Sequence, residues 1–156
     1  MNVKIRKAVD KDIDAIVKLN TLLADYHRQI DAYYKEGKDT ADGFKRYLRK
    51  IMDSENHLIL VAVDRDIIAG YFLGEISDAK AFLSPAITGR ISDAFITKAY
   101  RRHGIGKMFF DEMIQWFKQH TITHVELSVD VRNTIGVKAW QKYGFQAFML
   151  KMKREI

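Results

Sequence analysis

The sequence predicts an α/β (α+β) fold in which a mixed sheet is covered by helices, and three observations predict it. Segments with the two-residue period of strands alternate with segments of helical period, in the order strand, helix, helix, strand, strand, strand, helix, strand, helix, strand. A charged turn, Asp64-Arg65-Asp66, joins two apolar runs as a hairpin. A basic, glycine-bearing junction, Arg101 to Lys107, leads from a strand straight into an amphipathic helix. At 156 residues and 47% hydrophobic composition the chain fits one domain, 1–156, with a sizeable core.

Taken in order, Val3, Ile5, Lys7 and Val9 alternate with Lys4, Arg6, Ala8 and Asp10 as an opening strand. Asp10 or Asp12 caps a helix whose stripe runs Ile13, Ile16, Val17, Asn20, Leu23 and Tyr26. Tyr33 to Asp39 reads as a loop, and Asp42 to Met52 as a second helix with Phe44, Tyr47, Leu48 and Ile51 on one side. Leu58 to Val63 is a buried strand, and Ile67 to Ile76 is its hairpin partner. Ser77 to Thr88, with the only proline, Pro85, connects to a strand from Gly89 to Ile96. The helix after the basic junction, Gly104 to Gln119, buries Ile105, Met108, Phe109, Met113, Trp116 and Phe117. His124 to Asp130 alternates as a strand, Asn133 to Tyr143 is a helix capped by Asn133 and stopped by Gly144, and Phe145 to Met152 is a final strand.

The junction Arg101-Arg102-His103-Gly104-Ile105-Gly106-Lys107 is built to hold an anion. Glycines allow a sharp turn and close approach of a ligand, the first amides of a helix lack partners within it, and the helix dipole favours negative charge there. The spacing is not that of a P-loop, because Met108 follows Gly106-Lys107 and position 101 is not glycine. Nor is it a dinucleotide fingerprint, since position 109 is Phe.

The segment resembles the signature of the GNAT N-acetyltransferase superfamily, Gln or Arg, two residues, Gly, one residue, then Gly or Ala, met by Arg101, Gly104 and Gly106. Upstream, Ile91 to Arg101 is similar to the family's fourth strand and its lead into the loop. Downstream, Val125 to Val129 is similar to the fifth strand, Asn133 opens the next helix, and Trp140-Gln141-Lys142-Tyr143-Gly144-Phe145 resembles the family's aromatic-x-x-x-Gly-Phe ending. The resemblance implies a mostly antiparallel sheet of about six to seven strands flanked by four helices, with fourth and fifth strands splayed so that pantetheine pairs with the fourth. It implies acetyl-CoA as co-substrate, no metal, and direct transfer to a primary amine on a small molecule or a protein.

Carried over to this chain, the resemblance makes Phe95 and Ile96 the backbone partners of pantetheine. Arg101, Arg102, His103, Gly104, Ile105, Gly106 and Lys107 become the phosphate cradle, and Asn133 and Trp140 further coenzyme contacts. An alkyl amine has a pKa of about 10, so a proton must leave before attack. Asp93, two residues before Phe95, is the first candidate base and Glu75 on the neighbouring strand the second; His27 and His103, the latter part of the phosphate loop, are weaker. Many family members carry a Tyr that protonates the leaving thiolate. Here that position is Trp140, whose indole has no useful acidity, which leaves Tyr143 as the fallback acid. Tyr26 and Tyr33, with Tyr34 and Tyr47, lie in segments that would wall the acceptor pocket, where aromatic faces suit a cationic amine.

The chain contains no cysteine, which excludes disulfides, thiolate metal sites and an acetyl-cysteine intermediate. Met1-Asn2-Val3-Lys4 carries no signal-like apolar core and the longest apolar run is too short to span a bilayer, so a cytoplasmic protein without a membrane partner is expected. The net charge of +6 comes from residues spread along the chain, without a nucleic-acid-binding motif, so no nucleic-acid partner is expected. A basic nucleic-acid-binding domain would instead show steeply salt-dependent binding. The competing reading is a coenzyme-A-binding sensor or interaction protein with weak or no catalysis, favoured by Trp140. The edge of the terminal strand, Phe145 to Met152, suits a homodimer.

Overall fold

The computed structural model describes residues 2–156; Met1, part of the N-terminal reading above, lies outside the described residues. The elements are β1 (Val3–Lys7), α1 (Ile13–Ile30), α2 (Gly37–Ile51), β2 (His57–Asp64), β3 (Ile67–Asp78), β4 (Ile87–Ile96), α3 (Ile105–Gln119), β5 (Val125–Leu127) and α4 (Thr134–Lys142). The sheet order is β1-β2-β3-β4-β5, antiparallel except for the parallel β4–β5 pair. Among the described residues no helix is long and apolar enough to cross a membrane.

Helices cover both faces, which is why the central strands read as nearly continuous apolar runs. Ile59, Val61, Tyr71 and Leu73 face α1 and α2, where Ile16 and Leu48 are fully buried. Leu58, Leu60, Ala62 and Phe72 face α3, meeting Phe109, Met113 and Phe117. The start of α1 is fixed by buried Asp12, which accepts the Val9 amide at 2.8 Å and the Arg6 guanidinium at 2.6 and 2.9 Å.

Three expectations need correction. The second helix starts at Gly37, not Asp42. The Gly37 amide donates to Asp25 Oδ1 at 2.7 Å, and a Cβ at Gly37 would collide with the Thr21 carbonyl, so glycine here is what lets α2 press against α1. The fifth strand is shorter than His124 to Asp130, spanning Val125–Leu127. The sheet has five strands rather than six to seven, because Phe145 to Met152 does not join it. That segment lacks an alternating apolar face to bury, and residues 146–156 are exposed throughout.

Candidate active site

The register of β4 creates the site. Leu73 pairs with Asp93 but Gly74 pairs with Ile91, so Ser92 is an extra residue, a β-bulge. The bulge reverses the side-chain alternation: Ile91 packs in the α3 layer, whereas Asp93 and Phe95 point to the α1–α2 layer. The parallel ladder to β5 ends at the same place, at Ile91 and Leu127, while β4 stays paired with β3 as far as Ile96. From Ser92 onward β4 therefore has one open edge, and the fourth and fifth strands part as expected.

Alternation decides which backbone groups face that gap. Thr97 N–H donates to Ala69 of β3 at 2.9 Å, and Phe95 pairs with Tyr71 on the same side. Ile96 and Ala94 consequently turn their amides and carbonyls toward the gap. Phe95, expected to offer its backbone there, is turned to β3 instead, and Ala94 takes its place.

At the end of β4 the chain enters the basic loop. Arg101 Nε donates to the Ile96 carbonyl at 2.8 Å, Arg102 adopts φ 65°, and Gly104 adopts φ 78°. The amides of Arg102 to Gly106 find no backbone acceptor among the described residues. They converge with the exposed side chains of Arg101, Arg102 and His103 at the first turn of α3, leaving a donor-rich, electropositive surface. Ile105 is buried and anchors that turn, and Lys107 pairs with Asp111 at 2.6 Å. A Cβ on Gly106 would lie 3.0 Å from the Tyr143 hydroxyl, so Gly106 keeps the cradle open and Tyr143 borders it. Burial pushes the Tyr143 phenol up, so it stays protonated at neutral pH. Trp140 packs against Phe72 and Phe145, at ring-centroid separations of 5.9 and 5.6 Å.

On the α1–α2 face Asp93 is held by Asn20 Nδ2, which donates to Asp93 Oδ2 at 3.2 Å and to the Tyr71 hydroxyl at 3.0 Å. Burial pushes the Asp93 carboxyl up to about 6, against the lowering effect of hydrogen bonds from Tyr71 and Asn20. Glu75 lies apart from it, opposite Arg90 in the register, with Arg90 Nη1 at 3.5 Å and His57 Nε2 at 3.9 Å.

The last turns of α1 and the loop after it reach across to the loop between β5 and α4. The Tyr26 hydroxyl donates to Asn133 Oδ1 at 3.0 Å, and that oxygen also caps α4 through the Gly136 amide. The Tyr34 hydroxyl donates to Asp130 Oδ2 at 2.9 Å. Asp31 receives both Arg132 at 2.9 Å and Lys153 of the tail at 2.7 Å, and Lys153 Nζ also stands 4.2 Å from the Tyr33 ring centroid. Lys153 and Arg132 hold the Asp31 carboxyl well below the usual range, and Arg132, also 2.9 Å from Asp130 Oδ2, does the same for Asp130. His27, whose imidazole is pushed down by burial against the opposing pull of Asp130, lies 5.2 Å from the Tyr34 ring.

Sequence reasoning missed Asn20, Tyr71 and Ala94 as site groups. A signal existed for two of them: Asn20 interrupts the apolar stripe of α1, and Tyr71 puts a hydroxyl in the apolar run of β3. Ala94 depends on a bulge that no residue type announces.

The sequence matches the profile of the acetyltransferase (GNAT) family over residues 18–145. Solved structures share the fold along nearly the whole chain. A tetramutant of the BH1408 protein from Bacillus halodurans superposes with TM-score 0.84 at 22% identity, covering 98% of this chain and 99% of the other. A predicted acetyltransferase from Clostridium acetobutylicum, solved with acetyl-CoA, gives 0.77 at 19% identity over 99% and 96%. Glucosamine-6-phosphate N-acetyltransferase from Arabidopsis thaliana gives 0.73 at 21% identity over 99% of each chain.

Proposed function

The chain belongs to the acetyltransferase (GNAT) family, and we propose that it is an N-acetyltransferase passing the acetyl group of acetyl-CoA directly to a primary amine in a ternary complex. The observation that carries this reading is the open edge of β4, with the Ala94 backbone and the Ile96 amide unpaired, and the Ile96 carbonyl held by Arg101, beside a loop of free amides and arginines. Phosphates suit the loop from Arg101 to Lys107, and the amide-bearing pantetheine arm suits the strand edge. Asn133 and Trp140 complete the proposed coenzyme contacts. That the relative from Clostridium acetobutylicum was solved with acetyl-CoA supports the same ligand here.

In this reading the amine nitrogen attacks the thioester carbonyl, a C–N bond forms, the C–S bond breaks, and coenzyme A leaves as its thiolate. A strand amide aimed at the carbonyl oxygen would stabilise the oxyanion, typically by about 3 kcal/mol. Asp93, ionised above about pH 6, takes the proton that the attacking ammonium must lose. Glu75 ranks behind it, since Arg90 and His57 already engage its carboxylate. Tyr143, still protonated, returns a proton to the thiolate. Tyr26 and Tyr33 wall the acceptor side, and the Lys153 ammonium over Tyr33 supports a face that accepts cations.

We further propose a homodimer through the outer edge of β5 and the exposed tail. The support is that β5 ends the sheet, while Phe148, Met149, Leu150 and Met152 are all exposed.

The test is acetyl-CoA binding by titration calorimetry, wild type beside a Gly104→Glu, Gly106→Glu double variant, with thiol release followed over a panel of amines. Binding lost in the variant, with thiol released by the wild type, is expected. Binding without release from any amine would favour a coenzyme-A-binding sensor, for which Trp140 in the place of an acid is the observation. No binding at all would overturn the reading.

A further inference from the structure

Asn20 is out of place by its neighbours. It lies on the face of α1 that carries buried Ile13, Ile16 and Leu19, where an apolar side chain would serve packing better. A half-buried amide among apolar neighbours still needs its hydrogen bonds made. Those bonds go to two groups on different strands, Tyr71 of β3 at 3.0 Å and Asp93 of β4 at 3.2 Å.

We propose that Asn20 is the positioning residue for Asp93, its single planar amide clamping the carboxylate and the Tyr71 hydroxyl together so that the base meets the acceptor amine in one orientation. The inference rests on reading Asp93 as the general base. An asparagine presents two N–H donors at a fixed angle, so one side chain can fix both partners. Tyr71 is fully buried and cannot swing away. The clamp sits directly beside the bulge at Ser92, on the stretch of β4 that has left β5, so it sets the carboxylate relative to the open strand edge.

The clamp has an electrostatic consequence. Burial favours the protonated carboxyl, and the bonds from Tyr71 and Asn20 oppose it. The other titratable or charged groups in this region are Tyr47 on α2, whose phenol is influenced by Asp93, and Glu75 with Arg90 and His57 at the far end of the strands. The hydrogen bonds from Tyr71 and Asn20 are the contacts that favour the ionised form of the Asp93 carboxyl.

The experiment measures kcat/KM for an accepted amine between pH 5 and 9 in the wild type, Asn20→Ala, Tyr71→Phe and Asp93→Asn, with acetyl-CoA affinity followed by calorimetry. The acidic limb is expected to move up by about one pH unit in Asn20→Ala and in the same direction in Tyr71→Phe, with coenzyme affinity unchanged. Asp93→Asn is expected to lose the limb. If Asp93→Asn loses the limb but neither clamp variant moves it, the positioning role is overturned while Asp93 stands as the base. If Asp93→Asn keeps the limb, the base assignment falls and the clamp with it. Should Asn20→Ala not fold, Tyr71→Phe keeps the ring in place and tests the clamp by the same shift of the limb.

Discussion

Arg101 Nε donates to the main-chain carbonyl of Ile96 at 2.8 Å, tying the first residue of the basic loop to the last residue of β4. Its guanidinium also lies 5.6 Å from the centroid of the Phe95 ring. The carbonyl it holds is on the open side of the strand, so one side chain joins the two halves of the proposed coenzyme site. Arg101→Ala should weaken acetyl-CoA binding about tenfold, by loss of a charge-assisted bond and of an anion partner. Arg101→Lys should recover only part, since a lysine has no planar Nε–H to repeat the contact. Equal affinities in wild type and Arg101→Ala, measured by calorimetry, would contradict this.

Asp93 carries a stability cost that its removal should reveal. Its carboxyl is raised from 3.8 to about 6 in the folded protein, so the unfolded chain ionises first. Folding stability therefore falls as pH rises from about 4 to about 6, and the deficit is constant above. Asp93→Asn cannot ionise and should be more stable than wild type at pH 8, by about 3 kcal/mol, with the difference shrinking to a small fraction of that near pH 4. Thermal melts at the two pH values check the sign. A variant less stable at pH 8 would mean that its hydrogen bonds outweigh the cost of burying its charge.

The loop and the strand before it are legible in the sequence because their chemistry is local. Arg101, Gly104 and Gly106 announce a turn into a helix with free amides, and φ 78° at Gly104 is what a glycine there supplies. The hairpin and the two-sided burial of β2 and β3 follow from period and run length. What escapes depends on register and on partners distant in sequence. The bulge at Ser92 decides that Ala94 rather than Phe95 faces the gap, and Asn20 meets Asp93 across 73 positions. Gly37 reads as a loop residue because a glycine at a helix start has meaning only beside Thr21 of the neighbouring helix. The apolar residues of the terminal segment suggest a strand, although they lack the alternation that would give a strand a face to bury.

Tyr143 stacks on Phe110 with ring centroids 4.6 Å apart, so removing only its hydroxyl leaves the packing intact. Tyr143→Phe should therefore melt at the wild-type temperature. Because a thiol is a tolerable leaving group, kcat should fall only about tenfold, less than the range typical of a required acid. The loss should be largest at high pH, where solvent supplies fewer protons. Unchanged kcat across the pH range would return Tyr143 to a packing role.

The tail offers the last prediction. Phe148, Met149, Leu150 and Met152 are exposed at 71%, 56%, 68% and 83%, a run of apolar surface that water would not favour on a solitary chain. The segment is tied only at points, by Lys153 to Asp31 and by Lys80 beside Met149 Sδ at 3.7 Å. Pairing between two copies would cover the apolar side chains and fill the open edge of β5 in both at once, the reciprocal pattern of a two-fold interface. Sedimentation at several concentrations should show twice the 18.1 kDa chain mass for the wild type. A Leu150→Lys, Met152→Lys variant should sediment as the single chain while still binding acetyl-CoA, because the tail is anchored at Asp31 and Lys80, outside the loop at Arg101 to Lys107. A wild type that stays at the single-chain mass at every concentration would remove the dimer and leave the Asp31–Lys153 pair as the tail's main anchor.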